Sequence, residues 1–147
     1  MASVTTRYVP GTTYQTSIEI AEVTLTGDEP AASGGDGAGP SPYEFLLAAL
    51  GHCTVLTMIL YARRKEWQID SVSVRGTFER IITGDPVNGR TRTERITQEI
   101  SLDGPLSDEQ RARILEIAHK CPVHRTLVNG LEIVTLEMSD DVVVLSE

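Results

Sequence analysis

The residues able to do chemistry form a small set. The chain has two cysteines, Cys53 and Cys121, and three histidines, all placed around them: His52 precedes Cys53, while His119 and His124 bracket Cys121. Thiols can attack as thiolates, pair as a disulfide, or bind a soft metal together with imidazoles. Cys121 precedes Pro122, where a new helix is expected to begin. A thiol at such an N-terminus lies at the positive end of the helix dipole, which favours ionisation. Cys53 sits in an apolar run, where a cysteine can also serve as an inert small hydrophobe. His52 and Cys53 diverge by about 100° on one helix, which excludes them as a nucleophile–base pair.

Composition narrows the classes of function. The chain has 147 residues, and 13 basic against 21 acidic side chains give a net charge of −8. Sequence-independent binding to nucleic acid or to anionic membrane surfaces needs a basic face, so neither is expected as a partner. Two cysteines are too few for a disulfide-built secreted scaffold. The first residues carry no apolar stretch of a secretory leader. A reducing cytoplasm is the expected compartment, and there a cysteine pair is transient and catalytic rather than structural. Residues 45–62 carry no charge and approach spanning length, but Gly51, His52, Cys53 and two threonines within them argue against a membrane helix.

These groups must be positioned by a small set of elements. Residues 5–9 and 13–26 read as two strands broken near Pro10-Gly11, and 28–42 as a Gly- and Pro-rich loop. That loop lacks the spacing of a phosphate-binding loop. Ser41-Pro42-Tyr43-Glu44 is a capping box with Pro at the first helical position, opening a helix of about 22 residues. It ends at Arg63-Arg64-Lys65 and is apolar on nearly every face. Such a helix must be covered all round, and one small sheet cannot do that, so a second subunit is expected, with Leu47 at the interface. Residues 69–82 and 91–102 alternate as a long hairpin around 84–89. Ser107-Asp108-Glu109-Gln110 opens a second helix to about Lys120, and a short helix follows from Pro122 to near Gly130. Residues 131–136 and 142–145 close the chain as strands. The order is that of an α+β fold, and residues 1–147 are expected to form one domain.

The sequence resembles a known family. Asp28-Glu29-Pro30, Gly34-Gly35-Asp36 and Gly39 through Thr54 (GPSPYEFLLAALGHCT) resemble the central helix of the OsmC/organic hydroperoxide resistance family, in its OsmC-like branch. Tyr61-Ala62-Arg63-Arg64-Lys65-Glu66-Trp67 and Cys121-Pro122-Val123-His124-Arg125-Thr126-Leu127 continue the likeness, which covers residues 28–136. The resemblance implies an intertwined homodimer whose antiparallel or mixed sheets wrap two long central helices. It implies a thiol peroxidase that needs no cofactor and no metal. Cys53 matches the peroxidatic cysteine and Cys121 the resolving one. An organic hydroperoxide would be the substrate and an external dithiol the reductant. Glu44, His52, His124 and Arg125 are candidate supporting residues. The chain departs from the family in one respect. Its better-studied members hold an arginine with a glutamate ten residues before the cysteine. Here that position is Tyr43, Glu44 is nine before, and the only arginine ahead of Arg63 is Arg7. Two alternatives remain: a dimeric binding module for a small apolar ligand, and a zinc protein using Cys53, His119, Cys121 and His124.

Overall fold

In the computed structural model, residues 2–85, 89–137 and 143–144 are described. Three short strands come first: β1 (Val4–Tyr8), β2 (Thr16–Ile20) and β3 (Val23–Gly27). They form an antiparallel sheet in the order β1-β2-β3. The single strand expected over 13–26 is therefore two, because the chain turns at Ala21-Glu22. Ala21 has φ 52° there, and no glycine or asparagine marks the turn. The turn expected near Pro10-Gly11 is present, with Gly11 at φ 84°.

The loop into the first long helix is built around one carboxylate. Buried Asp28 accepts hydrogen bonds from the N–H groups of Glu29 (2.8 Å), Asp36 (3.1 Å) and Ala38 (3.0 Å). Its own N–H donates to Pro40 O at 3.1 Å, which tethers the loop just before the helix cap. Helix α1 (Pro42–Arg64) then runs for 23 residues. Glu44 accepts from the Ser41 N–H at 2.7 Å and from its hydroxyl at 2.8 Å, the reciprocal contact of a capping box.

Strands β4 (Ser71–Asp85) and β5 (Gly89–Asp103) form the long hairpin, paired antiparallel from Ser71↔Asp103 to Asp85↔Gly89. The tip residues 86–88, on which the expected turn falls, lie outside the described residues. Val72, Val74, Gly76 and Phe78 alternate toward α1, opposite Leu102, Ile100, Gln98 and Ile96. A β-carbon at Gly76 would sit 3.3 Å from Leu47 Cδ2, so Leu47 packs on the chain's own hairpin. Helix α2 (Asp108–Ala118) opens with a second capping box: Gln110 N–H donates to Ser107 Oγ at 3.2 Å, and Ser107 N–H to Gln110 Oε1 at 2.9 Å. It ends two residues before the expected Lys120. Helix α3 (Pro122–Asn129) follows. Residues 131–135 are not a strand, and among the described residues only β6 (Leu136–Glu137) and β7 (Val143–Val144) pair there. Val142 and Leu145, expected in that last strand, lie outside the described residues.

The core is where α1, α2 and the base of the hairpin meet: Met58, Ala62, Leu102, Ile114 and Ala118, edged by Tyr61, Trp67, Ile69 and Val72. Within one chain α1 buries only Leu50, Thr54, Met58 and Ala62, a single stripe of four-residue spacing. The opposite stripe of His52, Leu56 and Leu60 is exposed. By length and composition α1 could cross a membrane. The core helix of a soluble protein meets the same test, and α1 supplies core residues here.

Candidate active site

The site forms where the middle of α1 meets the junction of α2 and α3. Helix α1 carries Cys53, which is half-buried, and Thr54, which is fully enclosed. At the junction α2 stops at His119, the chain turns through Lys120, and Cys121 becomes the N-cap of α3 with Pro122 at the first helical position. Proline supplies a preset φ at a position whose N–H needs no partner. It also pushes the preceding residue out of helical geometry, and Cys121 is accordingly extended (φ −54°, ψ 130°). The Arg125 N–H closes the first turn onto Cys121 O at 3.1 Å.

This placement brings the two thiols together although 68 positions separate them in the chain. Cys53 and Cys121 lie close enough for each to shift the other's ionisation, and both are free thiols. Cys121 is completely buried. The Thr54 hydroxyl beside Cys53 in sequence donates to Leu50 O at 2.9 Å and accepts from Gln98 Nε2 at 3.2 Å. The Thr57 hydroxyl donates to the Cys53 carbonyl oxygen at 2.7 Å.

The pair is electrically uneven. Burial, and then the neighbouring Cys121, push the Cys53 thiol above the ordinary thiol range. Burial acts the same way on Cys121. There it is outweighed by the Cys53 thiol, the His124 N–H, the Thr54 hydroxyl and the Val123 N–H, so Cys121 lies below the ordinary range.

The candidate supporting residues are dispersed. Glu44 is engaged in the helix cap, about 13 Å along the α1 axis from Cys53 at 1.5 Å per residue. His52 is exposed on the open face of α1, and Arg125 is exposed on α3. His124 is half-buried with its ring 5.9 Å from that of His119. Among the described residues, no group of three or more His, Cys, Asp or Glu side chains is arranged to hold a metal ion. The set Cys53, His119, Cys121 and His124 is thus not assembled as zinc ligands. Tyr43, ten residues before Cys53, stacks on Phe78 with ring centroids 4.1 Å apart. Its hydroxyl accepts from Arg80 Nη2 at 2.8 Å, and Arg80 also pairs with Glu94 at 3.2 Å.

A cavity of about 530 Å³ opens between α1, the hairpin and α3. Leu46, Leu50, Phe78 and Leu127 give it apolar walls, while Glu94, Arg95, Gln98, His119 and His124 make the rest of its lining polar or charged. Thr54 and Gln98, which hydrogen-bond to each other between α1 and β5 at 3.2 Å, are absent from the sequence-based candidates. Gln98 carried a legible signal, since it is the one polar side chain in the inward row Ile96, Gln98, Ile100, Leu102. Thr54 follows Cys53 directly, and nothing in the sequence marks its hydroxyl.

Residues 34–135 match the family model described as OsmC-like protein. The chain belongs to the OsmC-like family. Its fold is similar to that of the OsmC-like protein from Mycoplasma pneumoniae, with TM-score 0.70 and 21% identity, covering 87% of each chain. It is also similar to an organic hydroperoxide resistance protein OsmC from Legionella pneumophila (0.59, 17% identity, 86% of this chain and 88% of that one). A third solved structure, the organic hydroperoxide resistance protein OhrB of Bacillus subtilis, gives 0.58 at 20% identity, covering 86% and 89%. Among curated proteins no significant match is found. The OsmC-like fold here is the α+β arrangement expected from the order of elements.

Proposed function

We propose that this OsmC-like protein is a stress-defence peroxidase that reduces organic hydroperoxides with its two cysteines. The observation that carries the reading is the proximity of Cys53 and Cys121 to each other, with a cavity of mixed apolar and polar lining opening between the same two helices and the hairpin. Cys53, the less buried of the two, attacks the O–O bond, releasing an alcohol and becoming a sulfenic acid. Cys121 condenses with that acid to a disulfide, releasing water, and an external dithiol restores both thiols. The names of the similar hydroperoxide resistance proteins support the substrate class, and the apolar walls suit an alkyl or aryl group.

The working unit in this reading is a homodimer of one-domain chains acting in the cytoplasm. Leu56 (44% exposed) and Leu60 (43%) on α1 support the dimer, because a single chain leaves them to water. The test is turnover. Reduced protein should consume cumene hydroperoxide stoichiometrically while a Cys53–Cys121 disulfide appears by mass spectrometry. Cys53→Ser should abolish consumption, and Cys121→Ser should leave a Cys53 sulfenic acid that overoxidises. Unchanged consumption by Cys53→Ser would overturn the reading.

The cavity favours a second reading, a binding module for a small apolar ligand. That reading requires no consumption and a rise in melting temperature with such a ligand.

A further inference from the structure

The cavity has two unlike ends. Its inner end lies toward the thiols: Gln98 bonds to Thr54, the neighbour of Cys53, and His119 and His124 flank Cys121 in sequence. Its outer end is the stacked ring pair of Tyr43 and Phe78, with Glu94 beside it. Tyr43, Leu46 and Leu50 line the cavity at spacings of three and four residues, and Cys53 continues the same stripe of α1. The stretch from Tyr43 to Cys53 spans about 15 Å of helix axis.

The outer end is charged, and the charge is unbalanced. The inward row of the hairpin, which carries Phe78 and Ile96, continues as Arg80 opposite Glu94, Ile82 opposite Arg92 and Gly84 opposite Arg90. That row holds three arginines and one carboxylate, in a chain whose net charge is −8. The acids Glu79 and Asp85 fall on the other row. Arg80 Nε at 3.2 Å and Arg92 Nη2 at 2.8 Å both donate to one oxygen of Glu94, Oε1, so two cations share a single anion. Arg80 also lies over the rings of Tyr43 and Phe78, 5.0 and 5.3 Å from their centroids, which fixes its guanidinium against the end of the cavity. Its Nη2 donates to the Tyr43 hydroxyl at 2.8 Å, and the phenolic proton is left to donate. These side chains are roughly half exposed. Exposed ion pairs are weak, so an incoming anion can take a share of the guanidinium.

We propose that this outer end is an anion subsite, which takes the carboxylate of a single-chain amphiphile whose apolar body lies along α1 in the cavity. Arg80 presents a planar fork of N–H groups that matches a carboxylate. Tyr43 adds a hydroxyl donor, and Arg92 supplies the second positive charge. Leu46, Leu50, Phe78, Ile96 and Leu127 cover the chain of the ligand. The stripe also sets a length. About twelve staggered bonds of about 1.5 Å each span the same 15 Å as the helix between Tyr43 and Cys53. A twelve-carbon acid thus reaches from the subsite to the level of the thiol. The inference rests on the peroxidase reading for one point only, that the far end of such a chain carries a hydroperoxide to Cys53. Binding of the acid itself needs no turnover.

The test measures binding to the reduced full chain by titration calorimetry, with dodecanoate and dodecylammonium below their micellar concentrations. The two probes share a chain and differ in the sign of the head. Dodecanoate should bind at one per chain and about tenfold more tightly than dodecylammonium, although a net charge of −8 attracts the cation over the rest of the surface. Arg80→Gln should weaken dodecanoate about tenfold, the loss of one charge-assisted hydrogen bond, and Arg92→Gln should weaken it by less. Glu94→Gln releases both guanidiniums from their shared acid and should tighten dodecanoate binding. A merely structural role for this cluster predicts loss in all three variants, so the gain in Glu94→Gln is the discriminating sign.

Equal or tighter binding of dodecylammonium overturns the proposal. So does an unmoved dodecanoate affinity in a folded Arg80→Gln. If Arg80→Gln does not fold, Glu94→Gln decides, and unchanged or weaker binding there overturns the subsite. Dodecanoate bound as expected, with no consumption of cumene hydroperoxide, would uphold the subsite and defeat the peroxidase reading. Consumption of cumene hydroperoxide with no preference for dodecanoate would do the opposite.

Discussion

The two faces of α1 are made of similar residues and meet different fates. One stripe, Leu50, Thr54, Met58 and Ala62, is sealed against the hairpin and α2. The other, His52, Leu56 and Leu60, is open. Both read as apolar helix, yet one chain supplies cover for one of them only. Hydrophobicity tells that a surface must be buried, and the topology of the chain tells by what. Cys53 lies at the border between the stripes, half-buried, whereas Cys121 is sealed. The border gives a thiol an apolar wall and an approach from outside at once.

Three measurements would break or sharpen this contrast. The largest effect is expected on the sealed stripe. Met58→Ala removes a fully enclosed side chain from the core and should cost about 2–5 kcal/mol by chemical denaturation. A cost below about 1 kcal/mol would mean that the stripe is not a packed core. Next comes the open stripe. Leu60→Asp should change the stability of an isolated chain by only about 0.5 kcal/mol, yet should shift the species seen in sedimentation from dimer to monomer. A dimer unaffected by this change would move the interface elsewhere. Leu47 is the wrong probe, because it packs against Gly76 of its own hairpin.

The smallest effect is expected where the loop delivers the chain to α1. The Ala38 N–H, against the opposing pull of burial, and then the Glu29 and Asp36 N–H groups hold the Asp28 carboxyl below the usual carboxylate range. A carboxylate lowered in the folded state stabilises above its unfolded pKa, and that stabilisation is lost as the pH falls through the folded value. The loss should therefore begin below about pH 4. Asp28→Asn should lower the melting temperature at neutral pH and flatten its decline in acid. Equal acid sensitivity of the two proteins would remove Asp28 from that role.

Much of this arrangement was legible before any coordinates. The helix starts at Ser41 and Ser107 are local chemistry, a capping side chain meeting its partner three residues on, and they appear where the residues dictate. The hairpin is equally local, because alternation fixes which side chains share a face. The turn at Ala21-Glu22 escaped notice because its residues carry no turn signal, and the left-handed Ala21 is imposed by the pairing of β2 with β3. Residues 131–135 show the converse. Their apolar run suggests a strand, but no neighbouring strand pairs with it among the described residues. At the site, residue types named the two thiols, but their meeting depends on how α3 docks on α1.

The hairpin is longer than anything it packs against. Fifteen residues per strand reach about 50 Å, while the 23 residues of α1 reach about 35 Å. The outer part of this arm carries ion pairs on its surface, Arg80 with Glu94 and Arg95 with Glu79. A bare two-stranded ribbon invites further strands to stack along its rims, and alternating charge makes such stacking unfavourable. The arm's surface charge therefore works against edge-to-edge stacking of one copy on another.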